Sequence, residues 1–365
     1  MRISGSSFWA AILLGFSFCV WGQETKAPST PPPTSADEQM ADLKRRAQPA
    51  DSLGVTLKGA GGENGLELCT EISVPKTIKT VTVPLMEVAT RNLTEPGGRY
   101  RWPVVLANIN GTKSVPLLLD TGASYPVLGY TLARRLNLPI IGGVNAFPIT
   151  GGRGKANVHP AVVSLVDVGD LRIEKLLALV GADASFPKHM IGGQLGKEGA
   201  MIMGLYAWKG ISYLCIDSLR GTATFSLYEP YQRDPTVTFV TSVPMRWESD
   251  KLSIEIAFDD RHTHRCLIDT GGDFDIYLPQ KVSEAMGYRM AGDGKAYTGR
   301  GVGGVKQSRL YELKKVKIGE AALTGVPAVS DLGETRLSEV LLGNKILRRY
   351  RVTYDFRNEK LWLER

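Results

Sequence analysis

An internal repeat constrains this chain more than any other feature. In PLLLDTGASYPVL (Pro116–Leu128) an apolar run, Leu117–Leu119, stops on Asp120-Thr121-Gly122. RCLIDTGGDFDIYLP (Arg265–Pro279) repeats the pattern around Asp269. The copies also open alike, on VPLMEV (Val83–Val88) and VPMRWE (Val243–Glu248). In each, a strand-like run reaches a polar turn, and a second apolar strand leads to the Asp. Asn110-Gly111 and Asp259-Asp260-Arg261 mark those hairpin turns. The copies close alike too: two apolar residues and a glycine (Gly204, Gly343), a short helical piece, a strand to an Asp-containing turn (Asp217, Asp355), and a last strand. A repeat of this kind predicts an all-β chain with short helices, folded as two lobes.

Composition permits two real cores. The chain has 365 residues, 43% hydrophobic and 22% charged, which fits about two soluble domains. The net charge of +7 is spread out, with small clusters at Lys44–Arg46 and Arg348–Arg351 that read as solvated surface. No basic stripe interleaved with aromatics is visible, so nucleic acid is not an expected partner. The few histidines include His262 and His264, whose spacing offers no third metal ligand, and no metal or other cofactor is expected.

The start reads as a targeting segment. Arg2 precedes an apolar run, Phe8–Trp21, too short to span a bilayer comfortably, and Val20 and Gly22 offer a cleavage site before Gln23. Residues 1–22 are therefore expected to be a signal peptide and the protein to be periplasmic or extracellular, with an uncleaved membrane anchor as the alternative. No later run predicts a membrane span. Three cysteines would remain, Cys69, Cys215 and Cys266, enough for one disulfide at most. Residues 23–77 hold a Pro-rich linker, flexible through Pro28–Gln39, and an N-terminal extension without clear pattern. A pro-segment lying over a cleft is a further possible role for them. The lobes are assigned to residues 78–233 and 234–365.

The two DTG triplets and the two apolar-apolar-Gly elements resemble the aspartic protease superfamily over about residues 78 to 365. Each copy is similar to bacterial retropepsin-like domains, and their pairing in one chain is similar to the bilobal pepsin-like arrangement. The resemblance implies an acid-protease fold of two retropepsin-like β-barrel repeats. It implies an aspartic endopeptidase in which Asp120 and Asp269 form a catalytic dyad that activates water. Such paired carboxyls share one proton, a behaviour known from aspartic proteases generally. It further implies that Thr121 and Thr270 brace the two loops across the lobe interface, while Gly122 and Gly271 allow their close approach.

A β-hairpin flap is also implied. Its candidates are Gly299, Gly301, Gly303 and Gly304 in AYTGRGVGGVKQS (Ala296–Ser308), with FPITGGRGKANVH (Phe147–His159) as the counterpart in the first copy. A peptide or protein substrate is expected, and a monomer, since one chain holds both aspartates. The second triplet departs from the family pattern at Gly272, where Ala, Ser or Thr is usual. A glycine there could loosen the loop and misplace Asp269, which keeps a non-catalytic peptide-binding or interaction module on the same fold as the alternative.

Overall fold

Strand pairing follows the duplication. The computed structural model describes residues 33–58, 65–88, 90, 94–151, 154–186, 195, 199–208, 210–248, 250–288, 294–301, 304–331 and 339–365. The expected signal peptide lies outside the described residues, as do most of the linker and Gly303. Thr34–Arg365 forms one compact unit, and Met1–Pro33 is assigned to another.

In the first repeat, Val104–Ile109 and Thr112–Leu119 form an antiparallel hairpin, turned by Asn110 and Gly111 at positive φ. Such a turn suits the right-handed twist of its strands. Leu117 and Leu119 point into the core and are fully buried. Met201–Met203 then inserts beside them, parallel to Thr112–Leu119 and antiparallel to Val127–Gly129. Gly154–Val168 and Leu171–Gly181 form a long outer hairpin.

The second repeat uses the same order. Lys251–Phe258 pairs with His262–Asp269, and the turn is made by Asp259 and Asp260 at positive φ. Val340–Gly343 runs parallel to His262–Asp269 and antiparallel to Ile276–Tyr277. Gly304–Ile318 and Ala321–Asp331 form the outer hairpin. The chain is thus all-β with short helices, as expected, in two repeats of the same strand order.

A six-stranded sheet joins the repeats. At its centre Tyr213–Asp217 lies antiparallel to Arg351–Asp355, with Cys215 opposite Thr353. One apolar cluster runs through both halves, from Leu119, Trp208 and Phe225 to Ile268, Tyr350 and Tyr354. Asp217 and Asp355 cap the turns that follow these strands, accepting from the N–H groups of Leu219 and Asn358. Cys69, Cys215 and Cys266 are all free. No helix among the described residues is long and apolar enough to cross a membrane.

The N-terminal extension departs from expectation. Flexible linker is predicted through Gln39, yet Ala36–Arg45 is a helix. Its start is a capping box: Ser35 Oγ accepts from the Glu38 N–H, and the Glu38 carboxylate accepts from the Ser35 N–H. Leu43 fixes it to the main core at zero exposure, and Asp42 accepts from Tyr130 Oη at 2.8 Å. Ala47–Gln48 pairs with Ile140–Ile141, and Glu71–Ser73 pairs with Arg172–Glu174. These two strands close both ends of the first repeat's sheet. The short, polar segment lacks periodicity because it adds single edges to a sheet rather than building a core of its own. Leu43→Ala is expected to cost about 2–5 kcal/mol in denaturant unfolding. A change within about 0.5 kcal/mol would return the segment to the status of a tether.

Candidate active site

Each DTG triplet begins where an inner strand runs out of partners. Asp120 follows Thr112–Leu119, and its N–H donates to the Met203 carbonyl at 3.1 Å. Asp269 ends its own strand opposite Gly343. The inserted strands Met201–Met203 and Val340–Gly343 therefore hold the two carboxylates in register with the two cores.

The triplets interlock. The Thr121 N–H donates to Thr270 Oγ1 at 2.9 Å, and the Thr270 N–H donates to Thr121 Oγ1 at 3.2 Å. Each hydroxyl then donates onward across the pair, Thr121 to the Ile268 carbonyl at 2.8 Å and Thr270 to the Leu119 carbonyl at 2.6 Å. Both threonines are about 1% exposed, so water offers no substitute partner. The glycines face the opposite carboxylates. A methyl on Gly122 would lie 2.6 Å from Asp269 Oδ1, and one on Gly271 would lie 2.5 Å from Asp120 Oδ2. Any side chain at either position would occupy the space of the other loop's carboxylate. Asp120, Asp269, Thr121, Thr270, Gly122 and Gly271 are thus brought together at one point.

The carboxylates are not electrically equal. Asp120 Oδ1 accepts from the Gly122 N–H at 2.8 Å, with further donation from Ala123 and Gly271. Asp269 Oδ1 accepts from the Gly272 N–H at 2.8 Å, with further donation from Gly271. Burial raises the pKa of both. Repulsion by Asp120 pushes Asp269 further, to about 8, and Asp120 also hydrogen-bonds to it. The pair is built to hold one proton between them, lodged toward Asp269.

Behind the second loop stands an ionic brace absent from the sequence reading. Asp273 Oδ2 accepts from Arg101 Nε at 2.8 Å, while Arg348 lies 3.6 Å from Oδ1 and donates to Glu95 at 2.9 Å. Asn344 Nδ2 donates to the Arg101 carbonyl at 2.8 Å, and Arg349 donates to Asp275 at 2.8 Å. The Arg348–Arg351 cluster is therefore not solvated surface. Arg348 is 3% exposed, and Arg351 contacts Cys215, Asp234 and Glu364. Its guanidinium groups are matched by acids brought from distant positions, which a run of like charges does not reveal.

The hairpin candidates form as hairpins. Lys295–Gly301 pairs with Gly304–Ile318, so Gly299 opposes Lys306 and Gly301 opposes Gly304. Phe147–Gly151 pairs with Gly154–Val168 in the first repeat. His262 and His264 stack at 6.5 Å, and among the described residues no cluster fit for a metal occurs.

The Gly272 backbone is tied on both sides. Its N–H is bonded to Asp269, and its carbonyl accepts from the Asn344 N–H at 2.8 Å.

Two expectations follow. Thr270→Val keeps the shape but strands the Thr121 N–H and the Leu119 carbonyl. It is expected to cost at least about 2 kcal/mol in denaturant unfolding, and Thr270→Ser should restore most of that. A neutral Thr270→Val would show that the brace is incidental. The second expectation concerns pH. The fold favours the protonated form of Asp269, so its contribution to stability is complete below about pH 4 and is lost as pH rises toward 8. Asp269→Asn, uncharged throughout, should melt above the parent at pH 8, with the gap closing toward pH 4. Parallel melting curves at the two pH values would contradict the assignment.

Two family models match the chain, one in each repeat. An aspartyl protease family model matches residues 105–205, and a gag-polyprotein aspartyl protease family model matches residues 254–349. Together they span just over half of the chain, and each contains one DTG triplet. A retropepsin-like aspartic protease from Rickettsia conorii is 22% identical, with a TM-score of 0.28, covering 34% of this chain and 97% of its own. An aspartic proteinase from Irpex lacteus is 16% identical, with a TM-score of 0.42, covering 78% of this chain and 96% of its own. A search of curated proteins gives no match. Two retropepsin-like aspartyl protease domains, one in each repeat, thus stand in a single polypeptide.

Proposed function

We propose that the protein is an aspartic endopeptidase whose dyad is Asp120 and Asp269. One observation carries the reading: each loop's glycine faces the other loop's carboxylate, so the two acids meet with room for a shared proton. In the working form Asp120 is ionised and Asp269 protonated. Asp120 takes a proton from a water as that water attacks the scissile carbonyl. Asp269 donates a hydrogen bond to the oxygen on which negative charge develops. The proton gained by Asp120 passes to the leaving amine, and the chain returns to its starting state. No covalent intermediate and no cofactor enter this scheme.

An extended peptide would lie between the two lobes, bonded along its backbone as an added strand. The paired hairpins Phe147–Gly151/Gly154–Val168 and Lys295–Gly301/Gly304–Ile318 supply covers from both sides. Because both acids come from one chain, a monomer suffices. The apolar start of the sequence supports export to the periplasm or beyond.

The dyad works between its two titration steps. With Asp269 raised to about 8, cleavage should persist at neutral pH and decline above the upper step. Residues 23–365 are to be incubated with a peptide library from pH 3 to 9 and the products read by mass spectrometry. The parent should cut internal peptide bonds. Asp120→Asn and Asp269→Asn should each lose at least about a thousandfold in rate while remaining folded. Peptides that bind but survive would establish the interaction module instead, and full activity in either variant would remove the mechanism.

A further inference from the structure

The two catalytic loops part company after their shared Asp-Thr-Gly. The first continues Ala123-Ser124-Tyr125 and the second Gly272-Asp273-Phe274. Tyr125 and Phe274 stand at the same step from their aspartates, yet their rings go different ways. Tyr125 is 37% exposed and stacks on Tyr206 at 5.3 Å with 27° between the planes. The Phe274 ring is half-buried and packs against Leu267, Tyr277 and Leu341.

Two glycines make that packing possible. A methyl on Gly272 would lie 2.6 Å from Phe274 Cζ, and one on Gly343 would lie 2.5 Å from Phe274 Cδ2. The ring occupies a slot between them. The same methyl on Gly272 would lie 2.8 Å from Asp269 Oδ2, so ring edge and carboxylate are neighbours across Gly272. The backbone secures the arrangement. The Phe274 carbonyl accepts from the Lys345 N–H at 3.1 Å, and the Asp275 carbonyl accepts from the Gly343 N–H at 2.9 Å.

We propose that Phe274 is a positioning residue for Asp269, admitted by Gly272 and Gly343: its ring locks the second catalytic loop and covers one side of the Asp269 carboxyl. The departure at Gly272 is then the condition for a different support and not a defect. This rests on the reading of Asp120 and Asp269 as the dyad. The charged or titratable groups that act on Asp269 are Asp120 from the first loop, Lys251 from the neighbouring hairpin and Tyr354 from the joining sheet. In its own loop Asp273 is held by Arg101 and Arg348. Phe274 is the uncharged wall among them, and an apolar wall disfavours the charged carboxylate.

The test compares the parent with Phe274→Leu, Phe274→Ala, Gly272→Ala and the double variant Gly272→Ala/Phe274→Ala. Asp269 is titrated directly by carboxyl carbon NMR, with Asp269→Asn identifying its signal, and kcat and KM are measured on one peptide. Phe274→Ala should move the upper titration step down by about half a unit or more, and Phe274→Leu, which keeps most of the volume, by less. In both, kcat should fall while KM stays within about twofold. Gly272→Ala alone should lower kcat at least about tenfold, because its methyl collides with ring and carboxylate. Adding Phe274→Ala removes the collision with the ring but leaves that with the carboxylate, so the double variant should recover no further than the level of Phe274→Ala alone. An unmoved titration step with unchanged kcat in both Phe274 variants would overturn the proposal, as would a Gly272→Ala variant with the parent's kcat. If the parent cuts no peptide, the catalytic reading fails by itself. The NMR titration then still decides whether Phe274 governs Asp269.

Discussion

Thr121 and Thr270 each hand a hydroxyl to the other's backbone, and the site depends on that exchange. The four hydrogen bonds are buried, reciprocal and made by residues 147 to 151 positions apart. Breaking one partner leaves polar groups where water cannot reach them. The brace therefore makes the approach of two lobes an all-or-none matter. It also explains the glycines, since only loops without side chains at 122 and 271 can come this close.

Proximity of this kind has an electrostatic consequence. Two carboxyls forced together in a poorly hydrated site cannot both be charged, so the fold itself places a proton. The near symmetry of the repeats would leave that proton undecided. The surroundings decide it, through N–H donation from Gly122, Ala123 and Gly271 at Asp120 and through repulsion by Asp120 at Asp269. Asymmetry also enters through the second loop, where Asp273 is pinned by Arg101 and Arg348 and Phe274 sits between two glycines. Ion pairs of the second repeat reach back to Glu95 and Arg101 of the first.

Much of this was legible in the sequence because it is local and repeated. An apolar strand ending in Asp-Thr-Gly, twice, points to the inner strands. The turns at Asn110-Gly111 and Asp259-Asp260 formed where their residue types demand positive φ. Gly299, Gly301 and Gly304 lie in a hairpin, as their turn-forming character suggests. What escaped is non-local. Arg348 looks like surface charge until Glu95 and Asp273 arrive from elsewhere in the chain. Gly272 looks like a weakness until the Phe274 ring fills the space a methyl would take. The Ser35-x-x-Glu38 box was in plain view, but the polar, Pro-rich run before it masked the helix start.

The most direct test of a single-chain dyad is stoichiometry. A peptide isostere carrying a central carbinol imitates the tetrahedral species formed when water adds to the scissile carbonyl, and a site shaped for that species binds it tightly. Calorimetric titration of the purified protein with such a compound counts sites. The account predicts one molecule bound per chain, with the tight binding lost in Asp269→Asn. One molecule per two chains, or binding that ignores the substitution, would contradict it.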